Sequence, residues 1–276
     1  MKIAVTLNGV VGGLLKKNYE DSGESDMKTI VEYVYKSLDK CLLQNNDIDI
    51  FIFSWHPNEG DYLDSIYKPK KSKHINQIVW KNLPSWLQDH PQRVQGHISR
   101  WYGFKEVMKL RQEYELENNV KYDLVLNGRF DHFWEKDVIF SELDVEKIHT
   151  STPTCVNWGW PHSRAGSELR GDLFVMKPEY MDKLALMYDN IYEYTSPGQC
   201  PQWKTISHHF LTVWHFRKMG WLTKEMIEFS FPACIVEMST CKNKVHQNKN
   251  ASPVFWILRL KTQFENLTIE DLKNKI

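Results

Sequence analysis

Short, almost wholly apolar runs alternate along the chain with longer stretches in which apolar residues return every three or four positions. Residues 2–7 (KIAVTL), 48–54 (IDIFIFS), 122–127 (YDLVLN) and 172–176 (DLFVM) are the apolar runs, each of strand length. Residues 26–45 place Met27, Ile30, Val31, Val34, Leu38, Cys41 and Leu42 on a helical period, with Ser25 or Asp26 as cap and Asn45-Asn46 as stop. Residues 97–118 lack proline, are rich in helix formers and end at Asn118-Asn119, which predicts a long helix. Between them, 57–96 reads as short helices and loops. The first half is thus β-α-β, an irregular stretch, then α-β: a doubly wound α/β pattern whose first two strands are parallel with a right-handed crossover. Further on, Val138–Phe140 mark a short helix or strand within 136–149, and 150–171 is a long loop. Pro178 opens a helix that continues through Tyr180–Tyr192, and a turn at Ser196-Pro197-Gly198 leads to a helix over 204–219 closed by Gly220. One or two strands broken at Pro232 follow in 221–238, then helices over 253–264 and from Thr268. No repeat or low-complexity linker divides the chain, so a single domain over 1–276 is expected.

One stretch concentrates polar chemistry. In Lys121–Trp134 (KYDLVLNGRFDHFW) an apolar strand breaks into Asn127, Gly128, Arg129, Asp131 and His132. The carboxyl end of a strand is where open α/β sheets hold ligands. Residues two apart in extended chain point the same way, so Arg129 and Asp131 reach one point in space. A cation beside a carboxylate suits an anionic ligand held partly through a metal ion, or else a surface salt bridge. Asn8-Gly9 after the first strand and Trp55-His56 after the second belong to the same edge.

Composition narrows the field. Thirty-five basic residues balance 35 acidic ones, so the basic footprint of a nucleic-acid binder is missing. The local run Lys68-Pro69-Lys70-Lys71-Ser72-Lys73 reads as a solvated loop. Cys41, Cys155, Cys200, Cys234 and Cys241 are scattered and form no CxxC pair, which fits reduced thiols in a cytoplasmic protein. No apolar run reaches the roughly 18–20 residues that span a bilayer, so no transmembrane segment is expected. Of 11 tryptophans, Trp55, Trp80, Trp86, Trp101, Trp134, Trp158 and Trp160 fall near predicted strand ends and loops, where they stack on sugars or fill the core.

Four segments in order carry a family resemblance: KIAVTLNG, IDIFIFSW, HISRWYGFKEVMKLRQEYELENNVKYDLVLNGRFD and GDLFVMKPEYMDKLALMYDNI, together about two-thirds of the chain. They resemble a divergent viral and bacterial branch of the GT-A type nucleotide-sugar glycosyltransferases. The resemblance implies a single GT-A domain with a mixed, mainly parallel sheet flanked by helices. It also implies transfer of a hexosyl group from a nucleotide-sugar donor to a glycan or other hydroxyl acceptor. Most members bind a divalent ion through Asp-x-Asp; here Arg129-Phe130-Asp131 takes that place. Asp131 is therefore the implied ligand for Mn²⁺ or Mg²⁺, with Arg129 pairing a diphosphate oxygen. Thr6, Leu7, Asn8 and Gly9 would contact the nucleoside, and Asn127, Arg100 and Tyr102 the donor. An inverting enzyme needs a carboxylate base, for which Glu168 and Asp172 are candidates; a retaining enzyme needs none. His208, His209, His215 and His246 are late histidines of the kind some members use as a further metal ligand. Two other readings stay open: a non-catalytic nucleotide- or sugar-binding protein on the same fold, and a metal-dependent phosphohydrolase. Donor sugar, base, acceptor and oligomeric state are not written in the sequence.

Overall fold

The computed structural model describes residues 1–11, 24–88, 91–134, 136–150, 173–199, 207–228, 230 and 235–237. In chain order the elements are β1 (Lys2–Gly9), α1 (Glu24–Cys41), β2 (Asp47–Ser54), α2 (Gly60–Tyr67), β3 (Lys71–His74), α3 (Pro91–Asn118), β4 (Leu124–Gly128) and β5 (His132–Trp134). Then come β6 (Ile148–Thr150), β7 (Phe174–Met176), α4 (Pro178–Ala185), α5 (Met187–Thr195), α6 (His208–Lys218), β8 (Ile227–Glu228) and β9 (Ile235–Glu237).

Seven strands form one sheet in the order β3-β2-β1-β4-β7-β6-β8. Only β7 is reversed; it pairs antiparallel with β4 and β6, while the other pairings are parallel. The mixed, mainly parallel α/β sheet read from the pattern is therefore present. β5 and β9 form a separate antiparallel pair. Both faces of the sheet are covered, which is why β1, β2 and β4 are apolar on both sides. On one face Val5, Leu7, Ile50, Ile52 and Leu126 pack with Val31 and Leu38 of α1 and Leu63 and Tyr67 of α2. On the other, Ala4, Phe51, Phe53, Val125 and Phe174 pack under α3, α4, α5 and α6.

Helix α3 is set by a close approach. A Cβ on Gly103 would stand 3.1 Å from the Phe53 ring and 3.7 Å from Asn8 Oδ1, so the missing side chain lets the helix lie on β1 and β2. Its far end is clamped by Arg111, which is fully buried between Glu115 (2.9 Å) and Asp182 of α4. The helix stops at Asn119, whose φ of 52° is tolerated by asparagine.

Several expectations need correction. The lysine run is not a solvated loop: Lys71–His74 is edge strand β3, and Lys71 pairs with Glu113 and Glu117 of α3 while Lys73 pairs with buried Glu106. Burial raises the Glu106 carboxyl, but Lys109 and Lys73 outweigh it and hold the carboxyl below its usual range. The long helix begins at Pro91 rather than 97, because proline suits a first turn. The stretch read as a single helix after Pro178 is two, joined at Leu186. The described part of the run at 172–176 forms a strand over Phe174–Met176. Thr150, assigned to a loop, ends β6. The expected loop over 151–171 and the two terminal helices lie outside the described residues. Among the described residues no helix is long and apolar enough to cross a membrane.

Candidate functional site

The register brings the carboxyl ends of β1, β2 and β4 to one edge: Gly9 lies opposite Ser54, and Leu7 opposite Gly128. From β1 the chain crosses through α1 to β2 on one side, and it enters β4 on the other side from α3. The crevice between β1 and β4 is thus the point where strand order reverses, the place where open α/β sheets bind ligands. Thr150 and Leu173 also lie at this edge, since Thr150 and Asn127 both pair with Phe174.

Within the crevice Asn8 and Asn127 face the α3 side. Asn8 Nδ2 donates to Asn127 Oδ1 at 2.6 Å, and Thr6 Oγ1 donates to the Leu126 carbonyl at 3.1 Å. Thr6 is fully buried and acts as a tie between strands rather than as an exposed ligand contact. Leu7 points into the α1-side core, so its side chain is a packing group. Gly9 sits at φ 119°, and its carbonyl accepts the Trp55 N–H at 3.2 Å. Among the described residues, its two chain neighbours aside, no atom stands within 4 Å of where a Cβ would be. Gly9→Ala is therefore expected to destabilise through backbone strain alone, by about 1–3 kcal/mol in urea melts. An unchanged midpoint would mean the turn readjusts freely.

Beyond β4 the chain folds onto the α1 face. Trp134 N–H donates to Ser37 Oγ at 3.1 Å, and Cys41, buried and reduced, donates through Sγ to the Trp134 carbonyl. This turn presents Arg129 and Asp131 together, as their spacing predicts. Arg129 Nε and Nη2 donate to the two oxygens of Asp131 at 2.8 and 2.7 Å, a two-toothed pair. The Asp131 side chain is 10% exposed and that of Arg129 31%, so the guanidinium is the more accessible partner. His132 is buried behind them, its Nδ1 facing the Arg129 N–H at 3.4 Å.

Asp131, the implied metal ligand, is paired with Arg129. Both Asp131 oxygens already accept from Arg129, and among the described residues no group of three or more His, Cys, Asp or Glu stands together to hold an ion. His215 is a core residue between the Tyr194 hydroxyl (2.9 Å) and the Lys183 carbonyl (3.0 Å). His208 and His209 open α6, with the His208 ring 5.1 Å from His97 of α3. His246, Glu168 and Asp172 lie outside the described residues.

Arg100 and Tyr102 do not converge, because positions two apart on a helix are about 200° apart. Arg100 lies over the Trp101 ring at 5.7 Å. Tyr102 stacks on Trp55 at 5.6 Å, with Trp80 and Tyr188 edge-on to it. Trp101 and Trp134 are core residues, whereas Trp86 is exposed. Sequence reasoning missed one polar chain at this edge. Ser54 Oγ meets His74 Nδ1 at 2.7 Å, and His74 Nε2 meets Asp64 at 3.0 Å. Serine, histidine and aspartate in a row suggest a nucleophile, but Ser54 is fully buried and its Oγ also accepts the His56 N–H. The trio ties α2 to β2 and β3. Its members are scattered over 20 residues, with no local signal to link them. The chain matches no protein-family model and no curated protein sequence.

Proposed function

We propose that the chain is a GT-A type glycosyltransferase, moving a sugar from a nucleotide-diphosphate sugar to a glycan or other hydroxyl acceptor. The observation that carries this reading is the Arg129 guanidinium, aimed by both oxygens of Asp131, at the carboxyl end of β4 beside the β1/β4 crevice. Breaking a sugar–phosphate bond leaves a nucleoside diphosphate whose growing charge needs a fixed cation. A guanidinium matches phosphate geometry and stays charged at any working pH. Asp131 acts in this reading as a positioning residue that prepays the orientation of Arg129. Gly9, at φ 119°, follows Asn8 at the same edge. The four segments of family resemblance map onto β1, β2, α3–β4 and β7–α4–α5, the elements that build and back this edge. No step is assigned to the implied metal. The acceptor's proton needs a base only if the reaction inverts, and Glu168 and Asp172 stay the candidates.

The test is a thermal-shift screen of nucleoside diphosphates and nucleotide sugars, with and without Mn²⁺. A ligand at about 100 times its Kd adds about 2.7 kcal/mol, or about 5–10 °C for a chain of this size. At least one nucleoside diphosphate is expected to give such a shift, and to do so without added metal. If none stabilises the protein under any condition, the reading fails. Binding without turnover of the bound sugar would instead support a non-catalytic nucleotide-binding protein.

A further inference from the structure

The α3 side of the sheet carries a group of aromatic rings that the site described so far does not use. Trp55 follows β2, Trp80 lies in the segment after β3, Tyr102 is on α3 and Tyr188 on α5, so separate elements bring them together. Trp55 stacks on Tyr102 at 5.6 Å, and Trp80 stands edge-on to both, at 6.4 and 5.9 Å. Tyr188 is edge-on to Tyr102 at 5.3 Å. Trp55 is buried, whereas Trp80, Tyr102 and Tyr188 pack on the core with one part and meet solvent with the other. The group is locked in place. Gln95 of α3 holds the Trp80 backbone twice, accepting its N–H at 3.0 Å and donating to its carbonyl at 2.6 Å. The Trp55 N–H donates to the Gly9 carbonyl, so the rings adjoin the Asn8-Gly9 end of the crevice.

We infer, on the functional reading given above, that these rings are the acceptor subsite and hold one pyranose ring of a neutral glycan beside the crevice. Indole and phenol rings join a broad apolar face to a polar tip. A pyranose has the complementary form, a face of C–H groups with a rim of hydroxyls and no charge. Among the described residues no hydrogen-bond partner takes the Trp80 indole N–H or the Tyr102 and Tyr188 hydroxyls, so these tips are left for the rim of a ligand. The charges beside the rings are already paired: Lys105, which lies over Tyr188 at 5.5 Å, with Asp189, and Lys73 and Lys109 with Glu106. That pairing favours a neutral ligand over an ionic one. Rings fixed before binding lose little freedom when the sugar arrives.

Saturation-transfer NMR on the full chain with maltotriose, cellotriose and chitotriose tests this. Irradiating the protein's ring protons is expected to mark the C–H protons of at least one of the three sugars. Its Kd is expected to weaken about tenfold in Trp80→Ala and in Tyr188→Ala, the usual scale for truncating an aromatic anchor. Two variants on different elements guard against a loss of fold in either. Both are expected to keep the wild-type thermal shift with the nucleoside diphosphate that stabilises the wild type most. No transfer to any of the three sugars overturns the inference alone, and so does unchanged affinity in both variants. Loss of the nucleotide shift in variants that still melt cooperatively also overturns it, since the rings would then serve the donor. Wild-type indifference to every nucleotide overturns the functional reading, and the acceptor role with it, whether or not the sugars bind.

Discussion

Arg129→Ala is expected to lower kcat/KM for the nucleotide-sugar donor by about 100- to 1,000-fold, the usual effect of removing one preorganised charge partner from a leaving group. Among the described residues of the β4 turn, the guanidinium combines charge, accessibility and a fixed aim. Asp131 holds two of its nitrogens, so little reorganisation is needed when a diphosphate arrives. Arg129→Lys should recover part of the loss, because an ammonium keeps the charge but not the fork. Asp131→Asn should cost less than Arg129→Ala, since it loosens the aim and spares the cation. Melting curves separate these effects from folding. Retention of full donor turnover in Arg129→Ala would remove the basis of the proposed function. If EDTA abolished turnover by the wild type, the role assigned to Arg129 would pass to a metal.

The second large effect is on stability and comes from His215. The ring is fully buried, and burial drives its pKa down from 6.5 to about 4, with only partial relief from its bond to the Lys183 carbonyl. It is neutral in the folded protein at pH 7: Nε2–H donates to that carbonyl and Nδ1 accepts from the Tyr194 hydroxyl. Between pH 6.5 and 4 the unfolded chain therefore binds a proton that the folded one does not. Stability from this group is complete above pH 6.5 and falls as the pH drops through that window. The full loss is about 3 kcal/mol. Urea melts of the wild type at pH 7 and pH 4 should show this loss in addition to that from the carboxylates. His215→Phe should start less stable, because it leaves the Tyr194 hydroxyl unpaired and the Lys183 carbonyl with only the Leu186 N–H, but its stability should fall less between the two pH values. Parallel pH profiles for the two proteins would show that His215 does not titrate differently on folding.

Some elements could be read directly, and the reasons are local. β1, β2 and β4 announced themselves because a sheet covered on both faces needs unbroken apolar runs. α1 did so because a one-sided helix keeps its period. β3 was hidden: its lysines serve as partners for Glu106, Glu113 and Glu117, which lie 33 to 46 residues away. β5 was hidden because three residues are too few to show an alternation, and its partner β9 is a hundred residues distant. The first turns of α3 were masked by Pro91 and Gly96, which read as loop residues in isolation although proline suits a helix start.

At the site, spacing alone brought Arg129 and Asp131 together, and it placed them with Asn8 and Gly9 on a carboxyl edge. Chain order cannot say whether a carboxylate next to an arginine is free or bound. Only the packed turn shows that both oxygens of Asp131 accept from Arg129. Leu7 and Thr6 likewise share a strand with Asn8, but alternation sends Leu7 into the α1-side core and burial closes Thr6 to ligands. The layered α/β framework and the edge where polar residues gather could be read from local hydrophobic period and strand ends. Which polar groups satisfy one another there is a matter of tertiary packing. Hydrogen-bond partners are fixed by elements far apart in the chain, and no local pattern encodes them.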